Sequence, residues 1–246
     1  MIWQQCQGPT HIGRLSGTLY RLVESQTFAT TTTMVDTLDE QDLLEQMLDE
    51  TKPDYPDHAQ TLHYLLKTPF RYPPLDWGSR YGQKHQPSLF YGGKDTATVL
   101  AESAYYRLVF WHSMQSPPYK NKIVTEHCLF NVDYHTEKGI NLCVAPFDHY
   151  HPQLTHISDY SHTQTLGTDM RQADVDAFEY PSARSNGTCI ALFTAQPFAQ
   201  PKPQEMSQWL CELTQQQVSF KRIDENKLHK FPLAQFTSDN QLPMPA

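Results

Sequence analysis

The sequence predicts an α+β fold, a mixed-sheet core with flanking helices. Two observations carry that expectation. Strand-like segments with period-two alternation and segments with 3.6-residue apolar spacing follow one another in mixed order, not in strict alternation. The 246 residues show no internal repeat and no Pro/Gly/Ser-rich linker, so they read as a single domain over residues 1–246. Within it, a core of about 15–223 is expected, with 36–68 as a helical insertion or flank and 234–246 as a loose tail.

The elements follow in order. Thr18 to Val23 reads as a short strand, followed by a Thr-rich turn at Thr30–Thr33. Leu38 to Asp49 places Leu43, Leu44, Met47 and Leu48 at helical spacing, with acids on the other face. Asp57 to Lys67 repeats the pattern, with Asp57 as N-cap. A loop over 70–86 leads to a strand at Ser88–Tyr91, and Gly92-Gly93 turns the chain. Asp95 then caps a helix from Thr96 to His112 with a core stripe of Ala97, Leu100, Ala101, Ala104, Leu108 and Trp111. Its other side holds Val99, Glu102, Tyr106 and Val109, so the helix is expected to be covered on both sides. Lys122–Tyr134 and Gly139–Val144 read as two strands that could pair. Ser158–Ala173 is partly helical, Ala177–Tyr180 and Thr188–Thr194 are strands, Met206–Leu213 reads as a short helix, and Gln217–Ile223 as a late strand.

Composition excludes several function classes. A net charge of −8 argues against a generalised nucleic-acid coat but leaves room for a local basic pocket. Five widely spaced cysteines without a CxxC pair point to reduced thiols in a cytoplasmic protein. The N-terminal residues lack a signal-peptide pattern, and no apolar run approaches the ~20 residues needed to span a bilayer.

Three polar residues in apolar settings stand out: Arg80 in Gly78-Ser79-Arg80-Tyr81-Gly82, Glu102 inside the long helix, and Ser182 in Tyr180-Pro181-Ser182-Ala183-Arg184. Burying such groups is costly unless they are paired or used. Arginine offers a planar donor fork for phosphate or carboxylate. A fixed carboxylate stabilises a cation that develops only in the transition state. Together they suit cleavage of an N-glycosidic bond, whose transition state resembles an oxocarbenium ion. The alternative is structural: an Arg80–Glu102 ion pair, with Ser182 capping a turn.

These residues resemble the arginine, glutamate and serine that name the RES-domain family, known as the toxin component of bacterial Xre–RES type II toxin–antitoxin systems. Tyr20-Arg21-Leu22 with Ser25-Gln26, Ser79-Arg80-Tyr81, Leu89-Phe90-Tyr91-Gly92, Ala101–Arg107 and Tyr180–Arg184 follow in the family's order. The Arg80–Tyr91 and Tyr91–Glu102 spacings of eleven residues fit as well. Leu166-Gly167, Met170-Arg171 and Asp176 resemble the approach to the serine motif, and the resemblance covers roughly residues 15 to 195. Two segments depart from it: the polar loop 81–87, and Glu50–Pro53, which lacks the Asn-Pro-Arg of longer members.

The resemblance implies a fold related to ADP-ribosyltransferases such as diphtheria toxin. It implies NAD as substrate, cleaved at the nicotinamide–ribose bond by hydrolysis or phosphorolysis, with inorganic phosphate as co-substrate in the second case and no metal. The implied partner is an Xre-like helix-turn-helix antitoxin. A mono-ADP-ribosyltransferase acting on a host protein and an inactive NAD-binding regulatory module are the alternatives. On this resemblance Arg80, Glu102 and Ser182 are the catalytic set, and Arg21 and Tyr91 bind substrate, Tyr91 by stacking on nicotinamide. Arg184 joins them as an anion contact or is an ion-paired side chain.

Other features have plainer readings. His149, His151, His156 and His162 with Asp148 and Asp159 form a histidine-bearing loop without metal-ligand spacing. His127 and Cys128, adjacent on a strand, face opposite ways and cannot form a nucleophile pair. The acidic run 36–50 reads as a solvated helix face, with an antitoxin contact or homodimer contact as the other option.

Overall fold

The structure is a computed structural model and describes residues 1–25, 34–116, 118–238 and 241–245, with the side chain of residue 58 set aside. The Thr30–Thr33 turn therefore lies outside the described residues. The elements in chain order are α1 (Ile2–Gln5), β1 (Gly13–Glu24), α2 (Leu38–Glu50), α3 (Tyr64–Lys67), β2 (Phe90–Gly93), α4 (Thr96–Ser113), β3 (Ile123–Asn141), α5 (His151–Leu154), α6 (Ser161–Gln172), β4 (Ala177–Pro181), β5 (Thr188–Leu192), β6 (Met206–Leu213), β7 (Gln217–Arg222) and β8 (Leu228–Pro232).

The strands form one eight-stranded mixed sheet in the order β1-β2-β5-β4-β3-β6-β7-β8, and β1 also pairs with β3. That extra pairing closes β1, β2, β5, β4 and β3 into a ring, from which β6, β7 and β8 extend. The β3–β4 pair is parallel. The α+β expectation holds. Alternation along the strands sorts side chains to two faces. Phe130, Val132 and Tyr134 of β3 join Ile190 and Leu192 of β5 in one core, covered by Ala59, Leu65, Leu66 and Phe70. The opposite face carries two cores. One holds Ala191 and Phe178 under Leu166 and Met170 of α6. The other packs Leu100, Ala104 and Leu108 of α4 on Leu129, Trp209, Cys211 and Phe220.

Several expected elements differ. Met206–Leu213 is a strand, because Trp209, Cys211 and Leu213 are buried at period two while their neighbours are exposed or half-buried, and the segment pairs antiparallel with β3 over Ile123–Phe130. The two strands expected at 122–134 and 139–144 are one continuous β3, Ile123–Asn141, paired with β1 from His127 to Gly139, and they do not pair with each other. Residues 57–67 form a short 3-10 turn and α3, not one helix, and the His63 side chain caps α3.

Asp95 does cap α4, accepting from the Thr98 amide at 2.7 Å. The α4 helix is open on one side, however, with Tyr106 at 44% and Phe110 at 50% exposure, while Tyr105 and Trp111 are buried. Ala97, expected in the core stripe, is exposed. Three described residues of the segment 234–246 make contacts with the rest of the fold. Phe236 is buried, Leu242 packs on the α4 core, and Tyr105 Oη donates to the Pro243 carbonyl at 2.6 Å.

Among the described residues, no helix is long and apolar enough to cross a membrane.

Candidate active site

Strands β1 and β2 touch at a single register pair, Tyr20 with Gly93. Beyond it they diverge, and Arg21 spans the gap, its Nη1 donating to the Tyr91 carbonyl at 2.5 Å while the guanidinium lies 4.7 Å from the Phe90 ring centroid. A cleft of about 460 Å³ opens there. It runs along the seam between the α4 core and the α6 core: Leu22 and Val99 belong to the first, Tyr91, Tyr180 and Cys189 to the second. Arg21, Arg80, Tyr91 and Glu102, far apart in sequence, all line it.

The Arg80 loop is built for rigidity. Gly78 adopts φ +76°, a conformation that favours glycine, and a Cβ there would also strike the Gly82 carbonyl. Ser79 N–H donates to the Gly82 carbonyl at 2.7 Å. The Tyr91 hydroxyl reaches across to the same loop, 2.8 Å from Ser79 Oγ and 3.1 Å from the Tyr81 amide, which donates to it. Tyr91 thus clamps the Arg80 loop and lines the cleft, and burial raises its pKa, keeping the phenol neutral.

Arg80 is 6% exposed. Its Nη1 donates to the carbonyls of His156 (2.9 Å) and Leu154 (3.4 Å), and its guanidinium lies 4.5 Å from the Tyr160 ring centroid. Burial opposes its charge, but Tyr160 and Glu102 outweigh that and raise its pKa, so the cation persists. Among the described residues no ion pair joins it to Glu102. The structural alternative of an Arg80–Glu102 pair is therefore not realised, and the remaining guanidinium donors stay unspent at the cleft wall.

Glu102 projects from α4 and is half-buried. Ser182 Oγ donates to its Oε1 at 2.6 Å. That serine is itself fixed, accepting from the amides of Arg184 and Ser185 at 3.1 Å each. With two donors arriving on its lone pairs, the Ser182 hydroxyl proton is directed at Glu102. Ser182 does not line the cleft; its link to it is the hydrogen bond to Glu102.

Arg184 departs from expectation. The serine loop folds back on α4, placing the Arg184 guanidinium 3.4 Å from the Tyr105 ring centroid and its Nη2 2.5 Å from the Ile157 carbonyl. It does not line the cleft. Arg21 does, and burial lowers its pKa to about 10, which leaves it charged at neutral pH.

Trp77, Glu24, His127 and Arg107 also line the cleft, and none of them was expected there. Trp77 stands three residues before Arg80, and Glu24 three after Arg21; neither has a pattern of its own. The histidine loop serves as scaffold: His156 lends its carbonyl to Arg80, and its Nδ1 accepts from the Asp159 amide at 2.8 Å. Among the described residues no His/Cys/Asp/Glu group has metal-binding geometry.

A chain in the crystal structure of the M. tuberculosis MbcT–MbcA toxin–antitoxin complex shares this fold, with a TM-score of 0.51 over 87% of this chain and 92% of that one. Identity between the two is 11%, so the likeness is one of fold. No curated protein matches the sequence. The RES domain model matches residues 55–214, a span that takes in the Arg80 loop, Glu102 and Ser182. The chain belongs to the RES domain family.

Proposed function

We propose that this cleft binds NAD and breaks its nicotinamide–ribose bond. The observation that carries the reading is the Glu102 carboxylate, fixed by the Ser182 hydroxyl at 2.6 Å, in a cleft that also holds Arg21, Arg80 and Tyr91. As the C–N bond lengthens, positive charge develops on the ribose, and a carboxylate already in place stabilises it without reorganising. Nicotinamide leaves as a neutral molecule because its nitrogen is already cationic in NAD. No general acid is required. Arg21 and the unspent donors of Arg80 suit the diphosphate, and the Tyr91 ring suits the nicotinamide. Water as acceptor gives ADP-ribose and one proton; inorganic phosphate gives a phosphorylated ADP-ribose.

Degrading NAD would make the protein a toxin to its own cell, to be held in check by an antitoxin with an Xre-like helix-turn-helix. Family membership and the fold shared with a chain of a toxin–antitoxin complex support this. The exposed Tyr106 and Trp77 at the cleft mouth give a partner an apolar rim to cover.

The test is incubation of the purified protein with NAD, with and without phosphate, followed by chromatography. Free nicotinamide with ADP-ribose supports hydrolysis, and a product seen only with phosphate supports phosphorolysis. Intact NAD under both conditions contradicts the reading.

A further inference from the structure

The far end of the same cleft holds a polar constellation that the glycosidic reaction does not use. Arg107 of α4 donates from Nη1 to Glu24 Oε2 at 2.9 Å and from Nη2 to Thr125 Oγ1 at 2.6 Å. Thr125 Oγ1 lies 2.9 Å from His127 Nε2. Glu24, Arg107 and His127 all line the cleft. Glu24 is the last residue of β1 and pairs in register with His127. It lies three positions past Arg21, roughly 10 Å along an extended strand. Arg107 lies five positions past Glu102 on α4, roughly 7.5 Å along the helix axis. The pair is thus displaced from the Glu102–Ser182 contact along both walls of the cleft.

The charges are arranged asymmetrically. The Arg107 side chain is 17% exposed, with two of its nitrogens engaged, while the Glu24 side chain is 57% exposed. The group that the cleft presents to a ligand here is therefore a carboxylate, joined at one oxygen to the arginine behind it. A fixed carboxylate accepts hydrogen bonds from hydroxyls and repels phosphate.

Resting on the reading of the cleft as a dinucleotide site, we propose that Glu24, oriented by Arg107, reads the adenosine ribose. It accepts hydrogen bonds from the ribose hydroxyls and excludes a nucleotide phosphorylated at the 2′ position. Glu24 is then the residue that sets selectivity for NAD over NADP. It forms no bond to the reacting ribose. Once the carboxylate is neutralised, the Arg107 guanidinium beside it becomes an anion site, and the preference falls or inverts.

The experiment measures affinity for AMP and for adenosine 2′,5′-bisphosphate by calorimetry, using the full chain, Glu24→Gln and Glu24→Asp. It also measures kcat/KM for NAD and NADP in all three. The native protein should prefer the nucleotides with a free 2′-hydroxyl. Glu24→Gln should reduce that preference on the order of tenfold or more, the scale of a hydrogen bond to a charged group. Glu24→Asp, which keeps the charge, should retain most of it. A native protein that binds neither nucleotide, or does not discriminate between them, overturns the proposal. So does a Glu24→Gln variant with an unchanged ratio. The binding arm needs no cleavage, so a protein that discriminates between AMP and its 2′-phosphate but leaves NAD intact would contradict the glycosidic reading while upholding the role of Glu24.

Discussion

Replacing His127 with glutamine should flatten the acid limb of the protein's stability curve. His127 is 4% exposed on β3, with its ring edge-on to Phe220 at 6.0 Å. Burial first, and the Arg107 charge second, push its pKa down from 6.5 to about 4. Above pH 6.5 the ring is neutral in both folded and unfolded chains, and its contribution does not vary. Between pH 6.5 and about 4 the unfolded chain takes up a proton that the folded chain refuses, so stability falls as the pH falls. At about 1.36 kcal/mol per pH unit, the full loss is roughly 3 kcal/mol. A glutamine amide can still meet Thr125 and does not titrate. The assay is urea unfolding followed by tryptophan fluorescence at pH 7.0, 5.5 and 4.5 for both proteins. From pH 7.0 to 4.5 the native protein should lose roughly 2–3 kcal/mol more than His127→Gln, with equal m-values. Parallel pH profiles would mean that His127 is protonated as readily in the fold as outside it.

Three further predictions test other parts of the molecule. Glu179 is buried and accepts from Lys94 Nζ and Tyr134 Oη, each at 2.5 Å, so Glu179→Ala should cost about 3–5 kcal/mol in urea unfolding by stranding both partners. Gly167 packs α6 against the backbone of the Arg80 loop, where a Cβ would overlap the Tyr81 carbonyl; Gly167→Ala should therefore weaken NAD binding in a titration as well as lower Tm. Ser182→Ala removes the donor that orients Glu102, and kcat should fall on the order of ten- to a hundredfold with KM little changed, because the serine acts through Glu102 and not on bound substrate.

What the sequence showed, and what it hid, follows from the range of the interactions concerned. The α4 helix was legible because its cap and apolar spacing are local: Asp95, then Leu100, Ala104 and Leu108. Strands β4, β5 and β7 were legible from short apolar runs, but β1 and β2 only in part: β1 begins at Gly13, five residues before Thr18, and Gly92 and Gly93, expected to turn the chain, are β2 residues paired with β5. Strand β6 was misread because Met206, Trp209, Leu210 and Leu213 also fit the i, i+3, i+4, i+7 spacing of a helix; pairing with β3 decides the matter, and that partner lies some 80 residues away. Exposure of Tyr106 and Phe110 depends on where the sheet ends beneath α4, which no local pattern records. In the site, Arg80, Tyr91 and Glu102 announced themselves as polar or aromatic residues in apolar or Gly-flanked settings. Glu24 and His127 are joined only through the β1–β3 register, and Trp77 only through the fold of its loop. Arg184 looked like an anion contact because it sits two residues from Ser182; the turn of the serine loop aims it at Tyr105 instead.

If the Ser182-held carboxylate of Glu102 drives glycosidic cleavage, Glu102→Gln should abolish it while leaving the rest of the site in place. The change keeps size and a hydrogen-bond acceptor for Ser182, so the fold and NAD affinity should persist, checked by circular dichroism and by titration with NAD. Nicotinamide release should then fall by at least about a hundredfold, the scale of removing a charge aimed at the transition state. Release at the native rate from a folded, NAD-binding Glu102→Gln protein would show that the Glu102 charge does not drive the cleavage.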